Sequence, residues 1–156
     1  MDIKYLTVFT QHPYYKESDG TLDSLQSIST DEISALESSY NNGNPFPTVL
    51  AELLYLAGGY CYVLDYTNTD SQDDMQQVAR EYLSENNLTI SRPFYVVEMR
   101  AGASLFVYLD EGKDDPDLYE ADAFAMSDDW LRPVNTTLLK LINARVTRLL
   151  SGYNPY

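Results

Sequence analysis

The stretch Asn44-Pro-Phe-Pro-Thr-Val-Leu-Ala-Glu-Leu-Leu-Tyr-Leu-Ala-Gly-Gly-Tyr60 constrains this chain most, because it holds a helix start, an apolar helix and a helix stop within seventeen residues. Pro47 suits the first helical position, where its missing N–H would have no partner anyway and its fixed φ is already helical. Val49, Leu50, Leu53, Leu54, Leu56 and Ala57 spread over more than half of the circumference. A helix that is apolar on so much of its surface is sandwiched between other elements. Gly58 is expected to take the left-handed conformation that ends a helix. Gly59 then turns the chain into Tyr60-Cys-Tyr-Val-Leu-Asp-Tyr66, an aromatic and β-branched run that reads as a strand.

Around this stretch the local signals define further elements. Residues 3–9 alternate as a short edge strand would, and His12 to Thr21 is turn-rich, with no element assigned. Ser29-Thr-Asp-Glu32 has the spacing of a capping box, with Ile28 and Ile33 at the positions of a hydrophobic staple. The helix that follows, to about Tyr40, has one narrow stripe of Ile33, Leu36 and Tyr40, so it lies on the surface and covers the Pro47 helix. Met75, Val78, Ala79, Tyr82 and Leu83 match the amphipathic template completely, and Asn86-Asn87 ends that helix. Phe94–Met99 and Ser104–Leu109 form an antiparallel hairpin across Arg100-Ala-Gly-Ala103. A short strand covers Leu118–Phe124, and Asn135 caps a last helix whose face is Leu138, Leu139, Ile142, Val146, Leu149 and Leu150, ending at Gly152. Without regular βαβ alternation this is an α+β order. The expectation is a single domain with an antiparallel sheet flanked by helices, two N-terminal helices before the sheet and a closing C-terminal helix. Residues 1–24 are read as an N-terminal extension with an edge strand and a loop, 25–152 as the α+β domain, and 153–156 as a short tail.

Composition narrows the function classes. At 156 residues and 44% hydrophobic, the chain supports one ordinary core. With 24 acidic residues against 10 basic ones, the formal charge of -14 repels phosphate backbones and anionic lipid surfaces and attracts cationic partners. Nucleic acid and membrane are therefore not expected as partners. Cys61 is the only cysteine, which excludes an intrachain disulfide and fits a reducing compartment, so a cytoplasmic location is expected. The N-terminus lacks the basic start and long apolar core of a signal peptide. No segment approaches the roughly 20 apolar residues of a spanning helix.

The order of a capped helix, Phe46-Pro47 opening an apolar helix that stops at Gly58-Gly59, a hairpin reading Leu105-Phe-Val-Tyr-Leu-Asp110, and Leu118-Tyr-Glu120 leading to a helix at Leu138-Leu-Lys-Leu-Ile142 resembles the SUKH superfamily. That superfamily includes immunity proteins of bacterial polymorphic toxin systems and a fungal regulator of cell-wall synthesis. The resemblance spans about Leu25 to Leu150; residues 1–24, the acidic loop Asp110–Asp117 and the stretch Ser127–Pro133 depart from it. It implies a binding protein with no catalytic residues to carry over.

The residues themselves agree with a non-enzyme. His12 and Cys61 are the only histidine and cysteine, and Cys61 sits in an apolar run where a thiol packs inertly. Counted from Asp110, the acidic loop fails the EF-hand pattern: Gly112 is third, Asp115 replaces the sixth-position glycine and Ala121 the bidentate glutamate. Opportunistic calcium binding there is the alternative; neither a metal site nor a cofactor is expected. Arg100-Ala-Gly-Ala103 is neither a phosphate loop nor a dinucleotide fingerprint. Interfaces favour tyrosine, and charge complementarity selects partners. Asp65, Tyr66, Tyr108, Asp110, Glu111, Asp114, Asp115, Asp117, Tyr119 and Glu120 are thus the candidate partner-binding residues, against the alternative of core tyrosines and a solubilising acidic surface. The expected function is neutralisation of a cationic protein, such as the nuclease domain of a cognate toxin, by direct binding. A non-inhibitory regulatory adaptor or scaffold is the alternative. No oligomeric state is specified by the pattern.

Overall fold

The computed structural model describes residues 1–17, 19–125 and 129–156. In chain order the elements are α1 (Thr7–Gln11), β1 (Tyr14–Lys16), β2 (Leu22–Ser24), α2 (Thr30–Tyr40), α3 (Thr48–Ala57), α4 (Gln72–Glu85), β3 (Phe94–Arg100), β4 (Ala103–Tyr108), β5 (Asp117–Asp122), β6 (Leu131–Thr137) and α5 (Leu138–Leu150). Strands β3-β4-β5-β6 form one antiparallel sheet in sequence order, and β1 and β2 form a separate hairpin. This is the α+β architecture expected, with helices before the sheet and a helix after it. Among the described residues no helix is long and apolar enough to cross a membrane.

Both faces of the sheet are covered, which explains why β3 is buried from Phe94 to Met99 without alternation. On one side Tyr95, Val97, Val107 and Leu118 share a core with α3, with Ile142 and Val146 of α5, and with Leu6 and Phe9. On the other, Phe94, Val96, Phe106, Tyr108 and Ala121 pack with Met75, Ala79 and Leu83 of α4. Val49, Leu50, Leu53, Leu54 and Ala57 are all buried, so α3 is the sandwiched helix its sequence predicts. Ser29 and Glu32 form both halves of the capping box, and Ile33 and Leu36 are the buried residues of α2.

Five local expectations are corrected. Residues 3–9 contain no strand; Thr7 begins the short helix α1, because Phe9 and Leu6 are drawn into the core together. Tyr60–Tyr66 is not a strand either. Only Tyr60 bridges, to Gln26, and Cys61 to Leu64 run as a buried irregular segment. The free edge of β3 that it would have joined is already occupied: Gln76 accepts from Val96 N and donates to Val96 O, both at 2.8 Å, and Arg80 donates to Phe94 O at 2.9 Å. Pro47 is the residue before the first helical turn and not in it, and Gly58 ends α3 at φ -67°, a right-handed conformation. Glycine is needed at 58 for closeness, since a Cβ there would lie 2.9 Å from Ile28 Cγ1. Asn135 does not cap the last helix. It lies in β6 at φ 58°, within the register shift of the β5–β6 pair, and Thr137 is the cap of α5. The stretch Ser127–Pro133 begins outside the described residues, and from Leu131 it is β6, an edge strand that tolerates Pro133.

The core position of α3 has a measurable consequence. Leu53→Ala removes a side chain that is 1% exposed and is expected to cost about 2–5 kcal/mol, read as a lower denaturation midpoint at an unchanged slope.

Candidate functional site

The acidic loop Asp110–Asp117 leaves β4 and enters β5, and its geometry is set by what its carboxylates hold. Asp110 accepts a forked pair from Arg92, whose Nη2 lies 2.5 Å from Oδ1, while the guanidinium stacks 3.7 Å from the Tyr108 ring centre. Glu111 accepts from Tyr119 Oη at 3.1 Å and from Lys113 at 3.3 Å, and Lys113 also reaches Asp117 at 2.5 Å. Asp114 serves the start of α3: its carbonyl accepts from Val49 N at 2.9 Å, and its carboxylate from Thr48 Oγ1 at 2.7 Å and Tyr5 Oη at 3.1 Å. Asp115 serves the start of α5, accepting from Leu139 N at 3.0 Å, with Pro116 O receiving Leu138 N. One loop therefore satisfies the orphan N–H groups of two helices, where a negative group is also favoured by the helix dipole.

The structure brings Tyr108, Asp110, Glu111, Asp117 and Tyr119 together at this end of the sheet. Tyr108 and Tyr119 stand 4.6 Å apart edge to face, and Tyr108 is buried. The remaining candidates lie elsewhere. Asp65 faces Arg100 at 3.8 Å, Glu120 pairs with Arg132 at 2.6 Å across β5 and β6, and Tyr66 donates its hydroxyl to Ala57 O at 2.8 Å. These acids are the ones whose charge the fold itself offsets.

At a second place the acids are held by uncharged groups: Glu32 accepts from Ser29 N and Oγ, and Asp73 from Tyr40 Oη and Gln77 Nε2. Between α2 and the start of α4 lies a cleft of about 610 Å³, lined on one side by Glu32, Ala35, Leu36 and Ser39, on the other by Asp70 to Asp73, with Ile28, Gly58, Gly59 and Tyr66 between them. Its deepest polar group, Gln72, is buried and bridges Gly58 O at 2.9 Å and Tyr95 Oη at 3.1 Å. Ser71 caps α4 by accepting from Asp74 N, and Tyr40 donates to Asp73 at 2.6 Å. Burial, reinforced by Asp73, holds the Tyr40 hydroxyl well above its ordinary range, so it stays protonated and donates to Asp73. No lysine, arginine or histidine among the described residues lines the cleft. Among the described residues Glu32, Asp70 and Asp73 enter no ion pair. The nearby Arg80 stacks on the Tyr40 and Phe94 rings and directs its N–H groups to Phe94 O and Gln76. Glu32, Asp70, Gln72 and Asp73 were not among the sequence candidates. The only signal for them was two acidic first helical turns, and nothing in the sequence says that those two turns line one cleft.

The buried charges are structural. Arg145 is 9% exposed and Glu98 3%; Arg145 donates through Nη2 to Oε1 at 3.1 Å, through Nη1 to Oε2, and to Val63 O at 2.8 Å. Cys61 lies beside this pair, and burial pushes its thiol up to about 12. Among the described residues no three His, Cys, Asp or Glu side chains are grouped to hold a metal ion. No protein-family model, curated protein or solved structure matches this chain.

Two outcomes follow. Native Cys61 is expected to react with a small alkylating reagent only as fast as the protein unfolds, so added denaturant should set the labelling rate; fast labelling in buffer would contradict its burial. Asp114 is held below the usual carboxylate range by its Thr48 and Tyr5 hydrogen bonds, and Asp110 by Arg92. A lowered folded value means stability that is present above about pH 3.9, the unfolded aspartate value, and lost as pH falls through the folded value below it. Melting temperatures from pH 6 to pH 2 should fall in that acid range, and less steeply for Asp114→Asn.

Proposed function

We propose that this chain is a non-catalytic anionic binding protein that neutralises a basic protein by direct contact. The target that fits its sequence resemblance is a cognate toxin domain such as a nuclease. The observation that carries the reading is how charge is distributed. Of the 10 lysines and arginines, Arg92, Arg100, Lys113, Arg132 and Arg145 are held in ion pairs, and Arg80 and Arg148 are turned onto carbonyl oxygens. The surplus of acid is thus presented outward with few free cations among it. A nuclease must be basic to hold its substrate, so this field steers the inhibitor to the enzyme and away from nucleic acid. The tyrosine-rich chain supplies wide, rigid contact area of the kind interfaces select.

The test is binding kinetics with the basic product of an adjacent gene at several salt concentrations. Screening shortens from about 8 Å at physiological ionic strength to about 3 Å at 1 M. Association is expected to slow steeply with salt while dissociation changes little, because buried contacts govern it. Over the same range the melting temperature of the free chain should rise, since screening relieves self-repulsion at a net charge of -14. An association rate indifferent to salt would return the acids to the role of a solubilising surface.

A further inference from the structure

We infer that the cleft between α2 and α4 is where such a partner engages, and that it receives an arginine side chain projecting from the basic protein. The inference rests on the binding reading for the partner being a protein, but the cleft is argued from its own construction. Its volume of about 610 Å³ is that of a ligand site, and its lining mixes Ile28 and Leu36 with Glu32, Asp70 and Asp73. A long cationic side chain matches both parts, its methylene stem lying on apolar surface while its head meets carboxylates. Arginine fits better than lysine. Its guanidinium is more weakly hydrated, enters a partly enclosed site at lower cost, and forks onto a carboxylate.

The fold contains the filled version of the same arrangement. At the other end of the molecule Arg92 lies on Tyr108 and forks onto Asp110, an arginine supplied by the chain itself to an aromatic ring and a carboxylate. At the cleft, Tyr66 and the carboxylates of Asp70 and Asp73 line a space that no lysine, arginine or histidine among the described residues lines. Charge complementarity therefore assigns the occupant to another molecule.

The experiment is a heteronuclear NMR titration of the full chain with a capped tri-arginine peptide, beside its tri-lysine and tri-citrulline counterparts. Saturable shifts are expected at Glu32, Leu36, Gly58, Asp70 and Asp73, at least three-fold weaker for lysine and absent for citrulline. Asp70→Asn should weaken arginine binding about five-fold or more. Ser39→Arg, an exposed position on the cleft wall, supplies the guanidinium in cis and should abolish it, so the result does not depend on the aspartate variant folding. Shifts centred on Asp110–Asp117, shifts spread over all acidic residues, or equal binding of lysine would overturn the inference. The two proposals separate cleanly. If the adjacent product is neutralised equally well by Ser39→Arg, the cleft is excluded and the binding reading stands. If the peptide occupies the cleft but the adjacent product does not bind, the cleft stands and the neutralisation reading fails.

Discussion

A carboxylate without access to water sits in the middle of α3, among the buried Val49, Leu50, Leu53, Leu54 and Ala57. Glu52 of α3 is 0% exposed, and no cation is paired with it among the described residues. It is matched by backbone: Lys4 N at 2.7 Å, Tyr5 N at 3.0 Å and Leu6 N at 2.8 Å all donate to it. Removing such a charge from water costs several kcal/mol. Bonds to a charged group contribute about 1.5–3 kcal/mol each, so three of them are the size needed to offset it. The consequence runs along the chain. Once residues 4–6 are bound to Glu52, Leu6 and Phe9 are delivered into the main core, and a five-residue helix with no stability of its own is held in place. A segment that looks like an appendage in the sequence is part of the packing.

The same rule, that buried polar groups must be partnered, decides the sheet. Its β3 edge is closed by side chains: the Gln76 amide imitates a neighbouring strand at Val96, Arg80 takes Phe94 O, and Asp65 O receives Met99 N at 2.9 Å. A register shift between Val96 and Glu98 turns Glu98 towards Arg145 of α5, and that arginine in turn fixes the irregular segment at Val63. The opposite edge, β6, carries Pro133 and a register shift, both of which blunt further pairing. No buried side-chain polar atom among the described residues is left without a partner.

What was legible in the sequence was whatever is decided locally. The capping box at Ser29, the period of α4 and the turn between β3 and β4, where Ala101 and Gly102 both have positive φ, depend on neighbours a few residues away. What was illegible depended on distant partners. Tyr60–Tyr66 has strand composition, yet Cys61 to Leu64 is buried as irregular chain and its edge was taken by Gln76, twenty residues from its partner Val96. Thr137, and not Asn135, caps α5 because β6 continues through a shift that composition does not announce. The candidate site divides in the same way. Acidity was visible, but whether an aspartate meets a helix terminus, as Asp114 and Asp115 do, or a cation, as Asp110 and Asp117 do, is a tertiary fact.

This division also settles the sign of the field at the α2–α4 cleft. The first turns of α2 and α4 both contribute to its lining, and each helix N-terminus carries roughly +0.5 of an elementary charge, which opposes the acids around it. Against that stand three carboxylates, Glu32, Asp70 and Asp73, with Asp31 and Asp74 in the same first turns. Taking only the three lining groups, the balance is about -2 after both dipoles are counted. At the Asp110–Asp117 loop the same bookkeeping sets Asp110, Glu111, Asp114, Asp115 and Asp117 against Arg92, Lys113 and two helix termini, and the balance is again about -2. The loop with the most acidic sequence is therefore no more anionic than the cleft, whose charge is assembled from residues that are far apart in the chain and has no cation of an ion pair within it among the described residues.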